Sequence, residues 1–122
     1  MAKKILIVED DEQMARLIRR QLDASGYAAL NAYNGEAGLK LARLEKPALI
    51  LLDIGLPGMN GTTLCGIIKS RPDTSGIKVI MLTGERLMGK VEDSFSAGAD
   101  GYLNKPYDLR QLLDRIARLI EA

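Results

Sequence analysis

No histidine occurs anywhere in these 122 residues, and there is no tryptophan, one cysteine and one phenylalanine. Without imidazole the commonest general base, the Ser-His and Cys-His nucleophile pairs and any histidine-built zinc site are excluded. A single cysteine, Cys65, excludes an internal disulfide; within a helical stretch it reads as a small buried side chain suited to a reducing compartment. No apolar stretch reaches the length of a membrane-spanning helix. The amino terminus "MAKKILIVED" meets carboxylates before a signal-peptide core can form, so a cytoplasmic protein without a membrane partner is expected. Nor does one sign of charge prevail: 17 Lys plus Arg against 16 Asp plus Glu leave a net charge of +1. That balance gives no electrostatic footprint for nucleic acid or for an anionic membrane. No GxxxxGK or GxGxxG loop follows a strand, which removes the usual nucleotide cradles. Partners must then be recognised by local surface, with Arg16, Arg19, Lys90 and Arg110 among the candidates.

What is present is ordinary in amount and regular in order. The chain is 47% hydrophobic and 27% charged, as expected of one globular domain spanning residues 1–122. Short apolar runs at 4–8, 27–32, 48–52, 78–82 and 101–104 alternate with longer periodic stretches at 12–25, 36–45, 61–70, 86–98 and 109–122. Strand and helix in alternation predict an α/β fold: a doubly wound parallel sheet of five strands with helices on both faces. The run Leu49-Ile50-Leu51-Leu52 does not alternate, which marks a strand buried on both sides. In the first helix Met14, Ala15, Ile18 and Leu22 form the apolar stripe, and Arg16, Arg19 and Arg20 face water. In the last, Leu109, Leu112, Leu113, Ile116, Ala117 and Ile120 share one stripe behind a capping box made by Asp108 and Gln111.

In an open parallel sheet, ligands bind outside the carboxyl ends of the strands. The first strand ends in Glu9-Asp10-Asp11, the third in Asp53, the fourth in Thr83 and the fifth in Lys105-Pro106. The second supplies nothing chemical near Ala32, which suits an edge. Each residue alone has an ordinary reading. Asp10 or Asp11 can cap the first helix, Asp53 can close an Asx turn ahead of Gly55, Pro57 and Gly58, Thr83 can be a strand residue, and Lys105 can be solvated. Taken together they converge. If the strand order is the usual one for this topology, the first and third strands are adjacent, and Glu9, Asp10 and Asp53 form one repelling cluster that calls for a cation. An all-oxygen donor set suits Mg²⁺, or Mn²⁺ in its place. One carboxylate beside such an ion can act as a nucleophile toward phosphorus, with the Thr83 hydroxyl and the Lys105 ammonium on the phosphoryl oxygens.

The segments "ILIVEDDE", "LLDIGLPGMNG", "LTG" and "AGADGYLNKP" together resemble the receiver domain of bacterial two-component response regulators, including the chemotaxis receiver, over essentially the whole chain. The resemblance implies the flavodoxin-like (βα)5 fold with strand order 2-1-3-4-5. It implies Asp53 as phosphoacceptor, and Asp10, Asp53 and the backbone carbonyl of Gly55 as Mg²⁺ ligands, with Glu9 acting through water. It implies Thr83 and Tyr102 as a switch pair, Tyr102 turning from a solvent-facing position, and a cis bond before Pro106. Asn60 stands where relatives often carry Asp, at a loop position that is not a ligand. The implied donor is a histidine kinase or histidine phosphotransfer protein. The implied output is a target protein on the surface of the fourth helix, fifth strand and fifth helix, in a monomer or a phosphorylation-dependent dimer. Such a domain catalyses only its own phosphorylation and dephosphorylation. Two other readings compete: an Mg²⁺-dependent phosphatase of the haloacid dehalogenase type, which puts its nucleophile on the first strand with a second Asp two positions later, and an interaction module that is not phosphorylated.

Overall fold

A computed structural model describes residues 2–84 and 97–121. Its elements run β1 (Lys4–Val8), α1 (Glu12–Ala24), β2 (Ala28–Ala32), α2 (Gly35–Glu45), β3 (Leu49–Asp53), α3 (Gly61–Ser70), β4 (Lys78–Thr83), β5 (Gly101–Asn104) and a C-terminal helix (Leu109–Ile120). The helical stretch expected at 86–98 lies outside the described residues except for Ala97 and Gly98, which form a turn.

All five strands pair in parallel in the order β2-β1-β3-β4-β5, as expected. The period of two along each strand divides the core between two faces. Leu6, Val8, Ile50, Leu52, Val79 and Met81 point to one, where Ala42 of α2 and Leu64, Cys65 and Ile68 of α3 cover them. Ile5, Ile7, Leu49, Leu51, Ile80 and Leu82 point to the other, beneath Ile18 and Leu22 of α1 and Leu112 and Ile116 of the C-terminal helix. Every residue of β3 is buried. This accounts for its unbroken apolar run, since each fully buried Leu or Ile contributes about 1.5–3 kcal/mol of transfer free energy.

The helix starts are set by side chains that accept from exposed backbone N–H groups. Asp11 caps α1 by accepting from Gln13 and Met14, Asn34 caps α2 through Ala37, and Asn60 caps α3 through Thr63. The predicted capping box of Asp108 and Gln111 opens the C-terminal helix. One expectation for α1 fails: Met14 is 37% exposed, beside Leu17 at 48%, while the buried stripe is Ala15, Ile18 and Leu22. The helix is rotated so that Met14 lies at the margin of that stripe, over the end of the chain's last connection.

Candidate metal and phosphoacceptor site

Because the strands are parallel, all their carboxyl ends lie at one end of the sheet, and β1 and β3 are neighbours there. One ligand oxygen from each of Glu9, Asp10 and Asp53 falls within 4.8 Å of the others. Asp11 is occupied as the α1 cap, accepting from Gln13 N–H at 3.0 Å and Met14 N–H at 3.2 Å. That division leaves Asp10 to the cluster. Asp53 is the last residue of β3 and only 8% exposed. Its Oδ1 accepts from the Gly55 N–H at 3.0 Å, so the Asx turn exists alongside the cluster and fixes the carboxylate's orientation. Glu9 is 2% exposed. Burial first, and then closeness to the Asp53 carboxylate, push its carboxyl up to about 8, while Lys105 pulls the other way.

Lys105 completes the charge balance. Its Nζ lies 3.2 Å from Glu9 Oε1 and 3.5 Å from Asp53 Oδ2, joining the ends of β1, β3 and β5. The Lys105 N–H donates to the Thr83 carbonyl at 2.7 Å, and the Lys105-Pro106 peptide is cis, as the resemblance implied. Thr83 is fully buried one residue beyond the β4 partner of Asp53, and its hydroxyl donates to the Gly84 carbonyl at 3.2 Å. The structure therefore gathers Glu9, Asp10, Asp53 and Lys105 at one point, with Thr83 on the adjoining strand, its hydroxyl bonded to the Gly84 carbonyl. Tyr102 is partly buried and packs against the core cluster to which α2 and α3 contribute. Its carbonyl accepts from Arg115 of the C-terminal helix at 2.8 Å. In the segment "AGADGYLNKP", Asp100 has a structural task, accepting from Val79 N–H at 2.8 Å and pairing with Lys69 at 2.7 Å.

The donors fit a hard divalent cation. They are all oxygens, and among the described residues three carboxylates crowd within a few ångströms against the Lys105 ammonium, with Glu9 Oε2 buried and given no hydrogen-bond partner there. Sequence reasoning named each of these residues. Tyr107, two residues past Lys105, also has a buried hydroxyl oxygen with no hydrogen-bond partner among the described residues.

A five-stranded parallel sheet in this order, with an acidic triad and a lysine at its carboxyl end, defines a receiver of the response-regulator type. Residues 5–117 match the response regulator receiver domain, and the chain belongs to that family. It is 37% identical over 120 residues to the DNA-binding dual master transcriptional regulator RpaA of Synechocystis, covering 96% of this chain and 48% of that protein. It is 34% identical over 116 residues to the polar-differentiation response regulator DivK of Brucella anthropi, covering 95% and 94%. Among solved structures, the receiver domain of sensor histidine kinase PA1611 from Pseudomonas aeruginosa, described with a magnesium ion coordinated in its active site cleft, superposes with a TM-score of 0.91 at 27% identity over the whole of both chains. The chain spans about half the length of the first curated relatives it matches.

Proposed function

We propose that residues 1–122 act as one phosphoacceptor receiver domain of a two-component relay, with Asp53 as the acceptor. The observation that carries this reading is the position of the Asp53 carboxylate. It lies at a strand end within the acidic triad, fixed by the Gly55 N–H on one oxygen and faced by the Lys105 ammonium at 3.5 Å from the other. A carboxylate so held is oriented for attack before a donor arrives.

In the proposed step, an Asp53 oxygen bonds to the phosphorus of a phosphohistidine on a histidine kinase or phosphotransfer protein. The P–N bond breaks, and the imidazole leaves with the electron pair and takes up a proton. Lys105 moves from pairing two carboxylates to pairing one carboxylate and a phosphoryl oxygen. The Thr83 hydroxyl exchanges the Gly84 carbonyl for another phosphoryl oxygen. Asp10, Asp53 and the Gly55 carbonyl would hold Mg²⁺, or Mn²⁺ in its place, with Glu9 acting through water. Bound there, the ion supplies positive charge that offsets the triad and the incoming phosphoryl group. Withdrawal of the Thr83 hydroxyl toward Asp53 frees space at the end of β4, and Tyr102, on the strand paired with β4, adjusts its packing. The target surface then comprises β5, the C-terminal helix and the stretch at 86–96, the last of which lies outside the described residues.

The haloacid dehalogenase reading is disfavoured because Asp53 stands on the third strand and Gly55, two positions on, has no side chain to act as an acid. Intact-mass spectrometry after incubation with acetyl phosphate and Mg²⁺ tests the proposal: one phosphoryl group is gained by the native chain and none by Asp53→Asn. An equal gain in both would refute it, and steady turnover of a generic phosphate ester would favour the phosphatase.

A further inference from the structure

The role proposed for the Lys105 ammonium depends on where β5 lies, and β5 has little of its own to hold it. It is four residues long, begins at a glycine, lies at the edge of the sheet and pairs, among the described residues, with β4 alone. Leu103 is its buried residue, and the bond from Arg115 to the Tyr102 carbonyl is exposed. Segments with so few buried contacts are the first to open. What ties the start of β5 is a side chain. Asp100, the residue before the strand, donates its N–H to the Val79 carbonyl at 2.8 Å and accepts the Val79 N–H on Oδ2 at 2.8 Å. The carboxylate thus extends the pairing of β4 and β5 by one residue, standing in for a backbone carbonyl. The same Oδ2 meets the Lys69 ammonium of α3 at 2.7 Å, and that ammonium also donates to the Ile77 carbonyl at 2.7 Å. Both side chains are largely covered, at 17% and 22% exposure, so the pair is screened less than an exposed one. Lys69 has little freedom to leave: Gly98, at φ +98°, passes so close to its stem that a Cβ there would sit 3.1 Å from Lys69 Cγ.

We propose that Asp100, itself held by Lys69, is a positioning residue for Lys105: it seats the start of β5 on β4, and the strand carries that placement to its other end. At about 3.3 Å per residue the strand spans roughly 13 Å, and extended backbone has no slack with which to absorb a shift. At the far end the Lys105 N–H donates to the Thr83 carbonyl at 2.7 Å, and from there Nζ reaches Glu9 Oε1 at 3.2 Å and Asp53 Oδ2 at 3.5 Å. Both pairings require the backbone of residue 105 to stand at one place along β4. Loss of the Asp100 carboxylate takes an acceptor from the N–H of the buried Val79 and from the Lys69 ammonium, and it frees the start of the strand. Asp100 stands at the opposite end of β5 from the acidic triad, so its influence passes through Lys105. The consequence for phosphorylation rests on the reading of Asp53 as acceptor; the placement of Lys105 does not.

Asp100→Ala deletes the carboxylate, Asp100→Asn keeps an acceptor for the Val79 N–H without the charge, and Lys69→Met keeps the stem without the ammonium. In metal-free protein carrying ¹³Cε-labelled lysine, the Lys105 resonance, assigned with Lys105→Arg, should shift in Asp100→Ala while those of Lys40 and Lys46 stay in place. Hydrogen exchange at the Lys105 amide should quicken roughly 10-fold more than at the amides of β1. Asp100→Asn should fall between native and Asp100→Ala. Lys69→Met should move the same signals in the same direction, which decides the matter even if Asp100→Ala does not fold. With acetyl phosphate and Mg²⁺, the initial rate of phosphorylation should fall roughly 3- to 10-fold in Asp100→Ala, within the hundredfold or so that a misplacement of about 1 Å can cost. A Lys105 resonance and amide that stay native in these variants overturn the proposal. So does quickened exchange spread evenly over the sheet, since that would mean a general loss of stability. A native rate beside a displaced Lys105 overturns the consequence for phosphorylation. If native protein gains no phosphoryl group, the acceptor reading fails, while the Lys105 signals in metal-free protein still decide the placement.

Discussion

Asp10 shows how one residue's role separates from its neighbour's. Sequence alone leaves Asp10 and Asp11 equivalent as helix caps; the folded chain gives the cap to Asp11 and the acidic triad to Asp10. Asp10→Asn should therefore leave the metal-free protein as stable as before or slightly more so, because it removes one of three repelling carboxylates. It should also abolish most of the gain from Mg²⁺, which for native protein at a hundred times its Kd amounts to about 2.7 kcal/mol. Thermal melts with and without Mg²⁺ check both halves, and a loss of metal-free stability would instead mark Asp10 as a structural residue. Two of the residues that contribute to the alkaline limit are Cys65 and Tyr27. Burial, with a smaller effect of Asp100 against an opposing one of Lys69, pushes the Cys65 thiol up to about 11 from its ordinary value near 9. Tyr27, partly buried and donating to Glu121 at 2.7 Å, is pushed up to about 12 from 10. Between each pair of values the unfolded chain has released a proton that the folded chain keeps. The stability these two groups confer is thus complete below pH 9 and is lost as pH rises toward 12. Urea unfolding at pH 8, 9.5 and 11 should show this fall, and Cys65→Ala should remove the part that begins near pH 9.

At the scale of elements, the junction of β3 and α3 does the most to place the site. Gly61, the first residue of α3, lies so close to the end of β3 that a Cβ would sit 2.4 Å from the Asp53 carbonyl oxygen and 2.8 Å from the Ile54 Cα. Backbone cannot yield as a flexible side chain can, so Gly61→Ala must displace Asp53. We expect a loss of about 1–3 kcal/mol of stability, accompanied by slower phosphorylation from acetyl phosphate. A variant that folds with native stability and reacts at the native rate would show that the junction has slack the structure does not suggest. The elements themselves were largely legible. β3 declared itself by an apolar run ending in a charge, and α3 and β5 fall at the predicted residues. What could not be read was the rotation of α1. Met14 fits the 3.6-residue period as well as Ala15 does, and only packing against the sheet decides which of the two is covered.

For the whole molecule, parallel strands are the reason a site exists at all. They bring residues 9, 53, 83 and 105, distant along the chain, to one end of one sheet. Composition and periodicity predicted a parallel sheet, but the order that makes β1 and β3 neighbours came from resemblance to receivers, because alternation of strand and helix is compatible with several orders. The central claim is that this architecture makes Asp53 a covalent acceptor. The most direct test is reductive trapping: borohydride converts an aspartyl phosphate to homoserine, which peptide mass spectrometry locates. After treatment with acetyl phosphate and Mg²⁺, homoserine should appear at position 53 and at no other aspartate, and should fail to appear when the donor or the metal is omitted. Homoserine at Asp10 or Asp11, or a phosphoryl group gained while position 53 remains unmodified, would contradict the account.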